Sequence, residues 1–413
     1  MSTDRPAVVL VDPTRNGAGY KTAARELGFT VVSLYTCEYT TAAPDHADGD
    51  DLTLYASAPD QAVRMLTDAG LSIRAVVPAM EVSTHIADRI ARLLALPGND
   101  HSLALARRNK AAMREHARAV GLRIPEFRLV RSVAEIGSAA HDIGFPAILK
   151  PTSSAGSRGV TLLPDAESLV DLGQLEALDA FDVPISEWLV ERYIRGREIS
   201  ANYYSFEGEH RLVDMWEYLQ PDDRDYDFPI WDNLQIDDTH PEWHRVDEYV
   251  RTVLDAFGIE RGPSHVEVKC AADGVYLMEI AARLPGGPMV GMWLEHSEFR
   301  PFHDSIRCFL GTRPLMFDVP LAFTARCGAL AIHNDEGPGT LVAIHGLDVV
   351  RDLPGIDEVL VDCRPGDHVP VTRDDLTIPL GFYVSGADSD EVLRTLATIR
   401  AEVSLEIAHG QAR

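Results

Sequence analysis

The chain has 413 residues, with 38 Lys and Arg against 64 Asp and Glu, so its formal net charge is −26. That acidity excludes a general nucleic-acid binder, which needs a basic footprint, and 46% apolar residues exclude a largely disordered chain. The cations divide into 34 Arg and only four Lys, at 21, 110, 150 and 269, so each lysine calls for a specific reason.

At roughly 150 residues per domain, the length accommodates two or three domains. No run approaches the roughly 18 consecutive apolar residues of a membrane span. Met1–Val11 has neither the charged start nor the small-residue cleavage site of a secretory signal. A cytoplasmic location without a membrane partner is therefore expected. The five cysteines (37, 270, 308, 327 and 363) are scattered and never form CxxC, which suits reduced thiols packed as small core residues.

Residues 6–108 alternate strands and helices: strands at Ala7–Asp12, Thr30–Tyr35 and Arg74–Pro78, helices at Lys21–Leu27 and from about Thr84 to Leu96. This alternation predicts a small open parallel sheet. The loop Arg15–Gly19 lacks GxGxxG spacing and an acidic partner on the second strand, so it reads as an ordinary βα turn. A helix is expected over Asn109–Val120, ended by Gly121, in a stretch (101–120) holding five Lys/Arg and one Glu. Strands follow at Phe145–Lys150, Gly159–Leu163, Trp188–Tyr193 and Glu198–Phe206, with a helix at Asp165–Leu178 among them. Residues 221–242 hold eight Asp/Glu and one Arg, interleaved with Tyr226, Phe228 and Trp231. They read as a surface loop, either a lid or a solvated insertion. The pair His240 and His244 has the wrong Glu spacing for HExxH, and Pro241 suits a first helical turn, so a helix over Glu242–Phe257 is expected. Beyond about 311, short strands with Gly/Pro turns and a helix at Ser389–Glu402 suggest a third, smaller α+β unit.

Segment Ser264–Ile280 reads as two alternating strands around Asp273-Gly274. Pairing Ala272 with Val275 sets Val268 against Glu279. Pairing Ala271 with Val275 instead sets Val266, Val268 and Cys270 against Ile280, Met278 and Tyr276, one apolar face. Burial specifies register, so the second pairing is expected. It places Glu267 directly opposite Glu279, with Cβ atoms about 4.5–5.5 Å apart. Two such charges need a cation between them, and Mg²⁺ (or Mn²⁺), a hard ion that takes carboxylate and phosphate oxygens, is the candidate. The alternative is a solvated face where the carboxylates pair with Lys269. His265 shares that face, as a substrate-side base or as a core or positioning histidine. Arg283, four residues past Glu279, brings a guanidinium to an anion, while Gly286 and Gly287 allow close backbone approach and leave room for a side chain larger than methyl.

Strand Phe145–Lys150 leads into Pro151-Thr-Ser-Ser-Ala-Gly-Ser-Arg-Gly159, without a Walker A motif. Its backbone amides and the hydroxyls of Ser153, Ser154 and Ser157, around Gly156, can fold over phosphates, with Lys150 as a point charge beside them. A plain hairpin loop is the alternative. Further on, backbone groups at 191–194 can read an adenine edge, and Glu198 ribose hydroxyls.

In order, these pieces resemble the ATP-grasp superfamily, and Glu279-Ile-Ala-Ala-Arg283 followed by Gly-Gly resembles its L-amino acid ligase branch. The resemblance implies an α/β and α+β multidomain chain: a Rossmann-like pre-ATP-grasp domain over 1–108, an ATP-grasp domain over 109–310 with its small lobe at about 121–195, and a C-terminal α+β domain over 311–413. It implies ATP on Lys110 and Lys150, with Glu191, Tyr193 and Ile194 near adenine, Glu198 on ribose and Lys269 among the nucleotide contacts. Glu267 and Glu279 would hold Mg²⁺; Ala281 stands where the superfamily usually has a ligating Asn. The implied activity joins a carboxylate to an amine through an acyl phosphate, with Lys150 and Arg283 catalytic and Arg283, Gly286, Gly287 and His265 facing small-molecule substrates, amino acids foremost. A homodimer is the candidate assembly. A biotin-carboxylase-like or purine-pathway enzyme of the same superfamily, or an ATP-binding protein without turnover, are the other readings.

Overall fold

The computed structural model describes residues 5–43, 45–220 and 230–409. A first, four-stranded parallel sheet has the order Leu52–Tyr55, Thr30–Tyr35, Pro6–Val11, Ser72–Pro78. Ala7 through Val11 are fully buried because the sheet packs on both faces, as parallel sheets must. The Leu52–Tyr55 strand and the Pro59–Asp68 helix add to the expected elements. The Arg15–Gly19 turn is filled by protein: a Cβ on Gly19 would lie 2.3 Å from the Phe302 ring. It is a packed βα turn, with no room for a pyrophosphate.

A second sheet orders Phe127–Val130, Trp188–Arg192, Ala147–Pro151 and Thr161–Leu163, all antiparallel, and the helix Val133–Ile143 covers it. The expected helix over 165–178 is instead a 3₁₀ segment, Glu167–Gln174. Asp165 Oδ1 accepts from the amides of Glu167 and Ser168, and Gly173 offers little helix propensity to extend the turn.

The third sheet has eight strands: Gly274–Ala281, Arg261–Ala271, Arg197–Phe206, Glu209–Leu219, Asp232–Ile236, Arg326–Ile332, Leu380–Gly386 and Ile356–Val361. Its Arg197–Phe206 strand is buried on both sides. Ile199, Ala201 and Tyr203 face the Trp243–Ala256 helix, whereas Tyr204 and Phe206 face Trp293 and Phe309. The sheet runs unbroken across residue 311, so the C-terminal unit extends it by three strands and adds a small sheet of its own, His368–Val369, Gly339–His345 and Ser404–Ala408.

This continuity corrects the reading of 221–242. Residues 221–229 lie outside the described residues, but Asp232–Ile236 is an inner strand, not a loop. Leu234 and Ile236 enter two neighbouring cores on one face of the sheet, while Gln235 donates to Asp214 and Asp232 accepts from Arg400. The flanking acids had masked a short strand. All five cysteines are free thiols, and four are buried. No helix among the described residues is long and apolar enough to cross a membrane.

Candidate active site

A cavity of about 550 Å³ opens between the second and third sheets, within the range of small-molecule sites. One wall is the Ala147–Pro151 strand and the loop after it, and the facing wall is the 261–281 hairpin. Leu360, Asp375 and Tyr383 of the C-terminal unit close a third side.

Three lysines reach this space, each on a carboxylate. Lys150 Nζ lies 2.6 Å from Glu191 Oε2, and Arg114 Nε lies 2.5 Å from Glu191 Oε1. Burial works to raise the Glu191 carboxyl, but Arg114 and Lys150 outweigh it and hold it at about 2. The same burial pushes Lys150 down to about 8, partly countered by Glu191. Glu191 was expected beside adenine. Its carboxylate instead braces Lys150, and the amides of Arg192 and Tyr193 are already donated to Glu126 and Pro146. Lys110 Nζ bridges Glu279, at 2.9 Å, and the Ser154 carbonyl, at 2.7 Å. Asn109 places it by capping the Lys110–Ala119 helix, its Oδ1 accepting from Ala111 and Ala112.

Glu267 does face Glu279, by a different route from the one expected. The hairpin closes with Ala271 opposite Gly274, Cys270 opposite Val275 and Val268 opposite Leu277; a bulge at Met278 then restores the Glu267–Glu279 and Val266–Ile280 pairs. The bulge is where burial is satisfied: Val275, Leu277 and Ile280 all enter the core while Met278 and Glu279 both turn to the cavity. Arg114 secures it by donating to the Met278 carbonyl at 2.9 Å. Glu267 Oε1 accepts from Tyr218 OH at 3.2 Å and lies 3.3 Å from His265 Nε2. Against burial, His265, Lys110 and Arg283 lower its carboxyl. His265 Nδ1 in turn lies 2.8 Å from Asn202 Oδ1, whose amide donates to Asp214. Lys269 pairs with Glu198 at 3.4 Å and stands over the Tyr193 ring, so it does not neutralise Glu267.

In the 151–159 loop, Ser153 turns its hydroxyl to Asp179, at 3.2 Å, and does not line the cavity; this corrects its expected place on the phosphates. Ser154 accepts from the Ala180 amide at 3.2 Å. The cavity side of the loop is therefore mostly backbone around Ala155, Gly156 and Ser157, with Gly156 and Ser157 both at positive φ, a conformation that turns successive amides to one side. Tyr193, Ile194 and Glu198 line the same cavity, as do Gly286 and Gly287, around which a Cβ would meet nothing within 4 Å.

The ATP-grasp domain family matches residues 143–290, and L-amino acid ligase C-terminal domain 2 matches residues 336–408. The chain thus carries an ATP-grasp domain and an L-amino acid ligase C-terminal domain. It is 28% identical over 350 residues to dapdiamide A synthase of Enterobacter agglomerans, covering 82% of this chain and 81% of that one. It is 23% identical over 314 residues to the L-arginine-specific L-amino acid ligase of Bacillus subtilis, covering 76% and 75%. The crystal structure of an L-amino acid ligase from Bacillus licheniformis shares the fold, with TM-score 0.74 and 17% identity over 99% of this chain and all of that one.

Three contributors to this site escaped the sequence reading. Arg114, one turn after Lys110, is fully buried and aligns Glu191. Asp375 enters from the C-terminal unit. Glu81 enters from the N-terminal sheet, its Oε2 2.5 Å from Arg283 Nη2. Burial opposes the charge on Glu81, yet Arg283, Arg108 and Lys110 hold its carboxyl at about 2. One signal was available: Glu81 follows the carboxyl end of the Ser72–Pro78 strand, the edge at which parallel sheets present ligand-binding groups. The donor set suits a divalent cation with phosphates, because two facing carboxylates offer oxygen.

Proposed function

We infer that this ligase joins the carboxylate of one amino acid to the amine of a second substrate, releasing ADP and phosphate. The observation that supports it best is the pair Glu267 and Glu279, facing each other across a strand pair in a cavity whose other wall presents Lys150. In this reading Lys110, Lys150 and the backbone of 154–157 hold the phosphates, and Tyr193, Ile194, Glu198 and Lys269 surround the nucleoside. Glu267 and Glu279 would hold Mg²⁺, which supplies neutralisation of phosphate charge.

A carboxylate oxygen of the first substrate attacks the γ-phosphorus, the bond from that phosphorus to its bridging oxygen breaks, and ADP leaves. The amine nitrogen of the second substrate then attacks the acyl carbon, loses a proton, and phosphate departs. Lys150 meets the charge developing in the first step and Arg283, aligned by Glu81, the oxyanion of the second. The open backbone at Gly286 and Gly287 lies beside Arg283 and admits the substrate side chain.

A matrix of amino acids and amines, scored for phosphate release and then for product mass, tests this reading. Phosphate release that requires two substrates, with a product mass equal to their sum less water, is the expected result. Glu279→Gln should lose about 100-fold or more in turnover; ligation at the parent rate would sink the metal assignment. ADP release without any acceptor requirement would overturn amide formation.

A further inference from the structure

Amide formation joins two substrates, and the open backbone at Gly286 and Gly287 leaves space for one side chain. A second space lies further along the cavity floor. Lys269, Glu198, Tyr218, Asn233, Ala329 and Tyr383 are cross-strand partners in turn, one from each of six neighbouring strands, and all six line the cavity. Half-way along, the row changes character. Lys269 pairs with Glu198, and Tyr218 donates to Glu267 at 3.2 Å. Beyond Tyr218 the strands come from the C-terminal part of the sheet, and the floor becomes small and apolar.

Ala331, Gly381 and Leu360 form the adjoining row, and the Ala331 amide donates to the Trp231 carbonyl at 2.7 Å. Ala329, Ala331 and Gly381 are thus a low floor between the larger Trp231, Leu360 and Tyr383, all lining the one cavity. Asn233 and Tyr383 stand two strand spacings apart, about 10 Å. The opposite face of these strands is filled: Leu234, Leu330 and Phe382 pack with Val392 and Leu396 of the Ser389–Glu402 helix. Trp231 is a fixed wall, its ring against His333 with centroids 3.8 Å apart and Arg400 over it at 5.4 Å. A Cβ on Gly381 would meet only Leu360, no nearer than 3.6 Å, so the floor is low there because nothing fills it.

The inner edge of this trough carries an open acceptor. Asn233 is 5% exposed, and its Oδ1 is buried with no hydrogen-bond partner among the described residues. A buried acceptor left without a donor is costly, and an N–H from a ligand would satisfy it. The four strands at this end contribute no Lys or Arg to the cavity, so a carboxylate placed here would be desolvated without a partner. A reacting carboxylate has no N–H to offer Asn233, whereas an amine has.

We propose that the trough floored by Ala329, Ala331 and Gly381 is the side-chain pocket of the amine substrate, shaped for a large apolar or aromatic group, with Asn233 accepting from an N–H of the same molecule. The inference rests on the amide-ligase reading. It makes the C-terminal unit a determinant of which amine is used, while Gly286 and Gly287 serve the other substrate.

Steady-state kinetics of the full chain test it, with second substrates graded from glycine to phenylalanine, the first held saturating, and fragmentation of the product showing which residue gave the amine. Gly381→Leu should raise KM for large apolar amines at least about tenfold, with glycine and ATP changed less than about twofold. Leu360→Ala, which widens the trough, should shift preference toward bulkier amines, an outcome that misfolding cannot imitate. Asn233→Ala should raise KM about threefold to tenfold for every amine and leave that of ATP in place. A rise in the KM for ATP alone would overturn the proposal in favour of a nucleotide pocket. A size preference altered for the carboxylate substrate would assign the trough to that substrate instead. If the parent ligates and none of the three variants alters amine choice or KM, the inference fails alone. If no pair of substrates supports phosphate release in the parent, the ligase reading fails with it.

Discussion

A buried ammonium is costly unless partners surround it, and all four lysines of this chain are buried with partners in place. Lys21, which has no motif around it, holds the 46–50 turn through the Asp48 carbonyl at 2.8 Å and Asp50 at 2.9 Å. Lys110, Lys150 and Lys269 line the cavity. Lys150 carries a direct prediction: with a free-state value of about 8, its charge is present below that pH and lost above it. Affinity for an ATP analogue should therefore fall by up to about tenfold per unit above pH 8; a profile flat to pH 10 would remove Lys150 from the phosphates. Between about 8 and 10.5 the unfolded chain keeps the proton that the folded one has lost, so the burial cost of this lysine is relieved as pH rises. Glu191 behaves oppositely. Its contribution to stability is present above its ordinary 4.5 and drains away as pH falls toward about 2. Glu191→Gln strands two buried cations and is expected to cost about 3–5 kcal/mol in denaturant unfolding, with the Lys150 titration moving below 8.

At the scale of elements, the hairpin shows how a functional pairing survives a wrong turn. Alternation of Val266, Val268 and Cys270 made the apolar face legible, and with it the Glu267–Glu279 pair. The bulge was not legible, because it depends on the edge strand finding outside partners: Arg114 for the Met278 carbonyl, and the Arg123 carbonyl for the Leu277 amide. The Lys110–Ala119 helix was legible within a residue at each end, since Asn109 and Gly121 mark its limits. Because that helix carries both Lys110 and Arg114, Asn109→Ala should cost about 1 kcal/mol of stability and weaken ATP binding alongside it. Chemical denaturation and an ATP titration on the same variant check the two together. Gly286→Leu, in open space and at an ordinary φ, should leave the melting temperature within a degree or two while raising KM selectively for bulky substrates.

For the whole molecule, the eight-stranded sheet joins the C-terminal unit to the ATP-grasp unit, and Arg107, bonded to Asp88 and to the Phe257 carbonyl, ties both to the N-terminal sheet. The cavity is thus walled by all three parts of the chain. Arg158 joins Asp374 across that junction. Arg158→Ala and Asp374→Asn should each raise the KM for ATP, and the double variant should fall short of the sum of the two, since both break the Arg158–Asp374 pair while Arg158 alone loses Glu176 and Asp374 alone loses Thr377. Fully additive losses in such a cycle would show that the latch does not act as a unit.

Local pattern was enough to establish the alternating N-terminal sheet, the hairpin face, the lysines and facing carboxylates, and the family that their order resembles. Each depends on neighbours a few residues apart, where periodicity and caps act. Glu81, Arg114 and Asp375, the bracing role of Glu191 and the inner strand at 232–236 were decided only by tertiary structure. Their partners lie far along the chain: 202 residues separate Glu81 from Arg283, and 77 separate Arg114 from Glu191. A buried charge is defined by what folding sets beside it, and no local spacing encodes that. The scarcity of lysine was visible at once; that every lysine is buried became visible only in the fold.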